Sequence, residues 1–372
     1  MKPSTINADT TLLRQLNIGS VLIGLRSAPS VTLTELARST GLSRQTAGAA
    51  LDELIARGVC EPLAPQEGTS GRPARRYAFR RRAGHALGIS FAPTHVLVIT
   101  SDLAGEIVAR QGRELDQQTP AAERLAVAEE LARRCAEQAG PVWAVGAGTS
   151  GVVDRDGKVR AASQLPGWVG LDLAAQVGGW FDCPARAGND AAMAALAERW
   201  LGNAQHVDDV VMLLTGHLTG FGLLIDGRVR VGRSGAAGEL GKLPWWRDSD
   251  PAFALAREGW TADQAIAAAE SGDRRAQDLL AELGQRLARS AAVLVSSIDP
   301  ELVVVGGELA PAGERMLEPM RRELGTMCRS APEVTASSLG TDGVALGALR
   351  GALDQIERDP RRLGSAGTVV AG

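Results

Sequence analysis

Apolar residues change their spacing along the chain, and each change marks a different kind of structure. Leu33, Leu36 and Ala37 recur at helical spacing, and Gly41 then offers a turn. Ala47, Ala50, Leu51 and Leu54 resume a helical stripe behind Ser43, a residue suited to capping a helix start. Two short helices around a Gly-containing turn predict a helix-turn-helix. Residues 59–63 and 76–79 alternate like two strands of a hairpin, joined by the Gly-, Pro- and Arg-rich stretch expected of a wing. From His85 the spacing changes again, and residues 85–110 read as three consecutive strands with turns near Ala92–Pro93 and Ala104–Gly105. A helix over 121–139, a buried strand over 141–148, a helix over 171–179, a short strand over 185–187 and a helix over 190–201 opened by Asn189 follow. A second series of the same kind comes next: strands over 209–214, 220–225 and 228–231, a helix over 276–298, a strand over 302–305 and a helix over 313–325. Three strands followed by alternating helix and strand, twice, predict an α/β body of two related lobes facing a cleft. The expected domains are a winged helix-turn-helix over 1–82, a first lobe over 83–200 and a second over 201–372, whose last helix is free to return to the first lobe.

In a helix-turn-helix the second helix enters the major groove with its first residues against base edges. Those residues are Ser43, Arg44, Gln45 and Thr46, all hydrogen-bonding side chains suited to base reading. Arg72, Arg75 and Arg76 of the wing, with Arg80, Arg81 and Arg82 after it, are placed to reach phosphates or a narrow minor groove. The plainer alternatives are an amphipathic hairpin that binds nothing and an ordinary solvated linker.

The net charge of −3 argues against nucleic acid, but its distribution reverses that. Residues 1–82 carry 12 Lys/Arg against 6 Asp/Glu, a net of +6, and the remainder 28 against 37, a net of −9. The DNA-facing charge is therefore concentrated in the N-terminal unit. A chain of 372 residues that is 45% hydrophobic has ample material for packed cores and more than one domain. No uncharged apolar run is long enough to span a membrane, and the N-terminus lacks the apolar core of a secretion signal. Four scattered cysteines without a CxxC pair read as reduced thiols, so a cytoplasmic protein with no membrane partner is expected.

Several segments together resemble the ROK family (repressors, open reading frames and sugar kinases), in its branch of xylose- and N-acetylglucosamine-type repressors. They are TGLSRQT and GRPARR in the N-terminal unit, LPGW at 165–168, GND at 188–190, GAAGELGKLP at 235–244, IDPELVVVGGEL at 298–309 and SLGTDGVALGA at 338–348. The resemblance runs from about Leu12 to Gln355 and implies an actin-like pair of ribonuclease-H-type lobes. It also implies operator DNA as a partner, a sugar or sugar-phosphate effector, and assembly as a homodimer or homotetramer.

The same resemblance shows which kinase chemistry is damaged. The family's DIGGT-like phosphate motif corresponds here to SFAPT, with Ser90 for the acid and Ala92 and Pro93 for the glycines. Proline has no N–H to offer a phosphate, and Cβ atoms keep a phosphate off the backbone. The second Gly-rich turn, GHLTGFG at 216–222, holds His217 and Leu218 where the motif resembles Thr and Gly. The family's zinc cluster is missing: Glu239-Leu240-Gly241-Lys242 stands where a His would close the motif, and no Cys or His follows nearby. No catalytic residue, no metal and no cofactor is therefore expected. The family's sugar contacts map onto Gly151, Ser163, Asn189, Asp190 and Glu239, and Lys242 adds a positive charge suited to an acidic or phosphorylated sugar. A salt bridge from Lys242 to Glu239 is the simpler use of that charge. The reading is a transcriptional repressor whose degenerate sugar-kinase body senses carbohydrate. The alternatives are an active kinase with an appended DNA-binding domain and a repressor that no longer senses small molecules.

Overall fold

A computed structural model describes residues 5–64, 74–241, 243, 246 and 250–358. The N-terminal unit comprises α1 (Thr5–Arg26), β1 (Val31–Thr32), α2 (Leu33–Thr40), α3 (Arg44–Ala56), β2 (Cys60–Pro62) and β3 (Arg76–Phe79). Thr32 and Glu35 form a reciprocal capping box at the start of α2, and Gly41 ends it in the left-handed conformation, φ 70°. Leu36, Ala47, Leu51 and Leu54 bury their side chains with Ile18, Val21, Leu22 and Leu25 of α1. The sequence reading missed α1. That helix is apolar on both sides, because Leu13, Leu16 and Ile23 are exposed opposite the buried face, and this blurs the helical period.

The first lobe holds β4 (His85–Phe91), β5 (His95–Asp102), β6 (Ile107–Glu114), α4 (Ala121–Ala139), β7 (Val142–Thr149), β8 (Val152–Val153), β9 (Val159–Ala161), α5 (Leu173–Gly179), β10 (Ala185–Asn189) and α6 (Asp190–Leu201). Its five-stranded sheet has the order β10-β7-β4-β5-β6, with β4, β5 and β6 antiparallel and β7 and β10 parallel to β4. The second lobe holds β11 (Val210–Thr215), β12 (Gly220–Ile225), β13 (Arg228–Val229), α7 (Pro251–Glu258), α8 (Ala262–Glu270), α9 (Arg274–Ile298), β14 (Leu302–Gly307), α10 (Glu314–Met327), β15 (Glu333–Ala336) and α11 (Gly343–Arg358). Its sheet order, β13-β12-β11-β14-β15, repeats the first lobe's plan strand for strand. The helices α7 and α8 and the strand β15 are additions to the sequence reading.

Two helices tie the lobes together. α6 lies on the second lobe's sheet, where Ala194 and Ala195 join Val210, Met212 and Leu224 in one core. α11 returns to the first lobe and lies under β4 and β7. A Cβ on Gly146 of β7 would sit 1.8 Å from the Ala348 carbonyl, and one on Gly347 of α11 would sit 1.7 Å from the Met193 carbonyl of α6. Only glycine permits these crossings.

The winged unit shares its core with the body: Leu22, Val59 and Phe79 meet Leu103, Leu353 and Ile356. Arg26 of α1 pairs with Glu357 of α11, and Arg81 pairs with Asp102 and Glu106 of the first lobe. Among the described residues no helix is long and apolar enough to cross a membrane.

Candidate sugar cleft and DNA-facing helix

The junction of β10 and α6 concentrates polar groups at the cleft. Asn189 caps α6, its side-chain oxygen accepting from the Ala192 N–H at 3.0 Å. Its amide nitrogen donates to the Gly151 carbonyl and to Asp190 Oδ1, each at 3.0 Å. Asp190 opens the helix, where the macrodipole favours an acid. It accepts from the Ala191 N–H at 2.8 Å and from the Ser150 hydroxyl at 2.6 Å. Burial pushes the Asp190 carboxyl above its usual range, and the bonds from Ser150, Ala191 and Asn189 oppose that shift. The structure therefore joins Gly151, Asn189 and Asp190 directly and adds Ser150, which sequence reasoning missed for want of any spacing that links it to Asp190.

The structure does not bring the remaining sugar candidates into this cluster. Gly151 adopts φ +106°, and a Cβ there would sit 2.1 Å from the Ala161 carbonyl, so Ser163 follows two residues beyond the contact. In the second lobe, Gly222 lies against the Ala191 carbonyl and Gly238 against the Phe221 carbonyl, and Glu239 beside Gly238 is exposed. Lys242 lies outside the described residues. Trp246 is buried edge-on to Phe221, with ring centroids 5.3 Å apart, and fills the second lobe's core. Arg155 of the first lobe donates to the Gly232 carbonyl at 3.1 Å, linking the two rims.

The phosphate side is built differently. Arg124 of α4 is fully buried, and its guanidinium donates to the carbonyls of Ala92, Pro93 and Asp116 at 2.7, 2.8 and 3.1 Å. Burial lowers its pKa from the usual arginine value. The β4–β5 turn thus aims two of its carbonyls at a protein cation. On the second turn, the Thr219 N–H donates to Asp250 Oδ2 at 2.9 Å, and Asp250 also caps α7 through the Ala252 N–H at 3.0 Å. Burial pushes the Asp250 carboxyl up while these bonds hold it down. Nearby, His217 Nδ1 stands 3.9 Å from Glu308 Oε1, and burial raises the Glu308 carboxyl. Among the described residues no group of three His, Cys, Asp or Glu is disposed to hold a metal ion. The sequence signal for Arg124 was its place on the apolar stripe of α4, in line with Ala128, Leu131 and Cys135.

On the N-terminal unit Ser43 caps α3, accepting from the Thr46 N–H at 3.1 Å, and the two hydroxyls lie 2.8 Å apart. Arg44 and Gln45 are exposed on the first turn of the helix. Arg75 is exposed, its guanidinium 6.0 Å from the Tyr77 ring centre. Arg76 is engaged within the fold, donating to the Ser30 hydroxyl at 2.8 Å and to the Ser30 carbonyl at 2.6 Å. Arg72 lies outside the described residues.

Two ribonuclease-H-type lobes form an actin-like body that regulators and kinases share, and here a helix-turn-helix unit packs on it. The chain belongs to the ROK family, which it matches over residues 86–252 and 245–354. It is 24% identical over 350 residues to the xylose repressor of Caldicellulosiruptor bescii, covering 84% of this chain and 88% of that protein. A solved ROK family transcriptional regulator, a homologue of the Escherichia coli MLC protein, superposes with a TM-score of 0.78 at 21% identity over 95% of this chain and all of that one. A ROK family glucokinase from Streptomyces griseus, in complex with glucose and AMPPNP, superposes with a TM-score of 0.65 at 25% identity. That match covers all of the kinase but only 73% of this chain.

Proposed function

We propose that this chain is a transcriptional repressor that binds operator DNA through α3 and the wing and is released by a sugar bound at Asn189 and Asp190. The observation that carries the reading is the helix α11, which crosses the sugar-side helix α6 and also seats the winged unit. Asp190 begins α6 and Trp200 stands near its end. The Arg350 guanidinium of α11 lies 5.7 Å from the Trp200 ring centre and pairs with Asp354 and Glu357. Glu357 in turn receives Arg26 of α1. A sugar that shifts α6 therefore acts on the seat of the DNA-binding unit through packed side chains. As a dimer the protein must span half-sites roughly 34 Å apart, or multiples of that, so a small rotation of the seat releases both units.

The body binds without phosphorylating. Phosphoryl transfer depends on backbone donors and charge arranged around the transferred group. Here Arg124 draws the first turn's carbonyls inward, Pro93 has no N–H, and the second turn's Thr219 N–H is given to Asp250. The repressor named for xylose among the relatives makes pentoses the first ligands to try. The test is fluorescence anisotropy of the intact protein on DNA from its own upstream region, with a sugar panel, alongside an ATP turnover assay. Release of DNA by a sugar without ATP turnover supports the proposal. Sugar-dependent turnover restores the kinase reading, and DNA binding indifferent to every sugar favours a repressor without small-molecule sensing.

A further inference from the structure

The first lobe opens a cavity of about 290 Å³, formed by the β6–α4 connection and residues 162–169. At roughly 30 Å³ per water it displaces on the order of ten waters, the scale of one sugar ring. The backbone at Gly151 and Ala162 separates the cavity from the Asn189–Asp190 cluster as a shared wall. Gly151 accepts from Asn189 on one side and lies against Ala161 and Ala162 on the other, and Ala162 lines the cavity.

The polar side chains of the lining are Gln117, Gln118, Ser163 and Gln164, three amides and a hydroxyl, with no charged side chain among them. An amide donates and accepts at adjacent atoms, which matches the alternating donors and acceptors of vicinal hydroxyls. Pro166 and Val169 supply an apolar strip, and Val169 is 60% exposed although it adjoins the buried Trp168. Amides opposite an exposed apolar strip suit the polar rim and apolar face of a pyranose. With no cation in the lining, nothing there compensates a phosphate or a carboxylate.

We infer that the effector is a neutral disaccharide or glycoside, with one ring at Asn189 and Asp190 and the second held by Gln117, Gln118 and Gln164. The inference rests on the sugar-sensing reading and extends it to a substrate class. Calorimetric titration of the full-length protein with paired probes tests it: xylose and xylobiose, glucose and cellobiose, N-acetylglucosamine and chitobiose. At least one disaccharide is expected to bind about tenfold or more tighter than its own monosaccharide. The double substitution Gln117→Ala/Gln118→Ala, on the surface and outside the Asp190 cluster, should remove that gain, and Asp190→Ala should weaken both members of the pair. Monosaccharide binding with no gain for any disaccharide overturns the second ring and leaves sugar sensing standing. A gain that survives Gln117→Ala/Gln118→Ala also overturns it. Failure of every probe overturns both.

Discussion

The two sides of the cleft have met different fates. On the side proposed for sugar, Ser150, Asn189 and Asp190 form a hydrogen-bonded cluster whose carboxylate is half-buried at a helix start. On the turns that correspond to the family's phosphate motifs, the Ala92 N–H is given to the His95 carbonyl, Pro93 has no N–H, and the Thr219 N–H is given to Asp250. The difference teaches that a binding function and a transfer function of one fold are separable at the level of single turns. Recognition of a hydroxyl needs only side-chain acceptors, whereas transfer requires free backbone donors and space.

The strongest way to break the comparison is to remove Arg124. Arg124→Leu strands three carbonyl groups that the guanidinium now satisfies, two of them on the β4–β5 turn. It should cost about 3 kcal/mol or more of stability, read as a lowered melting temperature, with sugar affinity retained in the folded fraction. A stability within 0.5 kcal/mol of wild type, roughly the scatter of surface substitutions, would mean that the guanidinium is not holding the turn. Ser90→Asp/Ala92→Gly/Pro93→Gly, which restores the acid and the glycines, should still give no ATP turnover in a coupled assay while the Thr219 N–H is held by Asp250.

On the other side, Asp190→Ala should reduce sugar affinity by about 100-fold, or roughly 2.7 kcal/mol, because it deletes a charged acceptor at the ring's hydroxyls. An unchanged titration would move the sugar site elsewhere. Next in size is the seat of the DNA-binding unit. Glu357→Gln should cost about 1–3 kcal/mol at neutral pH and uncouple sugar binding from DNA release. Burial works against the Glu357 carboxylate, but Arg350 and Arg26 hold its pKa below the usual 4.5. Its contribution is therefore present above pH 4.5 and lost as the pH falls through the lowered value. A wild-type response of DNA binding to sugar in this variant would remove α11 from the account.

The smallest effect concerns Asp190 without ligand. Its carboxyl is held above the usual 3.8 by burial, so the ionised form costs stability at neutral pH. The folded state takes up the proton as the pH falls through the raised value, and the cost is gone below 3.8. Asp190→Asn should therefore raise the melting temperature slightly at pH 7 and lose that advantage near pH 4. A lowered melting temperature at pH 7 would show that the bonds from Ser150 and Ala191 outweigh burial.

Much of this was legible in the residues, for reasons that explain the rest. Ser43 and Asn189 announce helix starts by short-range chemistry, and the three-strand series of each lobe is written in short apolar runs separated by turn residues. The exchange of α6 and α11 between lobes is not local. It depends on Gly146 and Gly347 meeting carbonyls of helices that are distant in sequence. Arg124 read as one charge on an apolar stripe, and only the fold brings Ala92 and Pro93 to it from 32 and 31 residues away. The helix α1 escaped because its two apolar faces carry no single period. The missing glycines of the phosphate motifs were readable. The hydrogen bonds that Arg124 and Asp250 make to those turns were not.

One measurement bears most directly on the claim that the body senses sugar and the wing reads DNA. Operator binding by the intact protein is followed by anisotropy as sugar is added, in wild type and in Asp190→Ala. The account predicts that wild type leaves the DNA over the concentration range in which the sugar raises its melting temperature, while Asp190→Ala stays bound throughout. Equal release of both proteins, or no sequence-selective DNA binding by either, would contradict it.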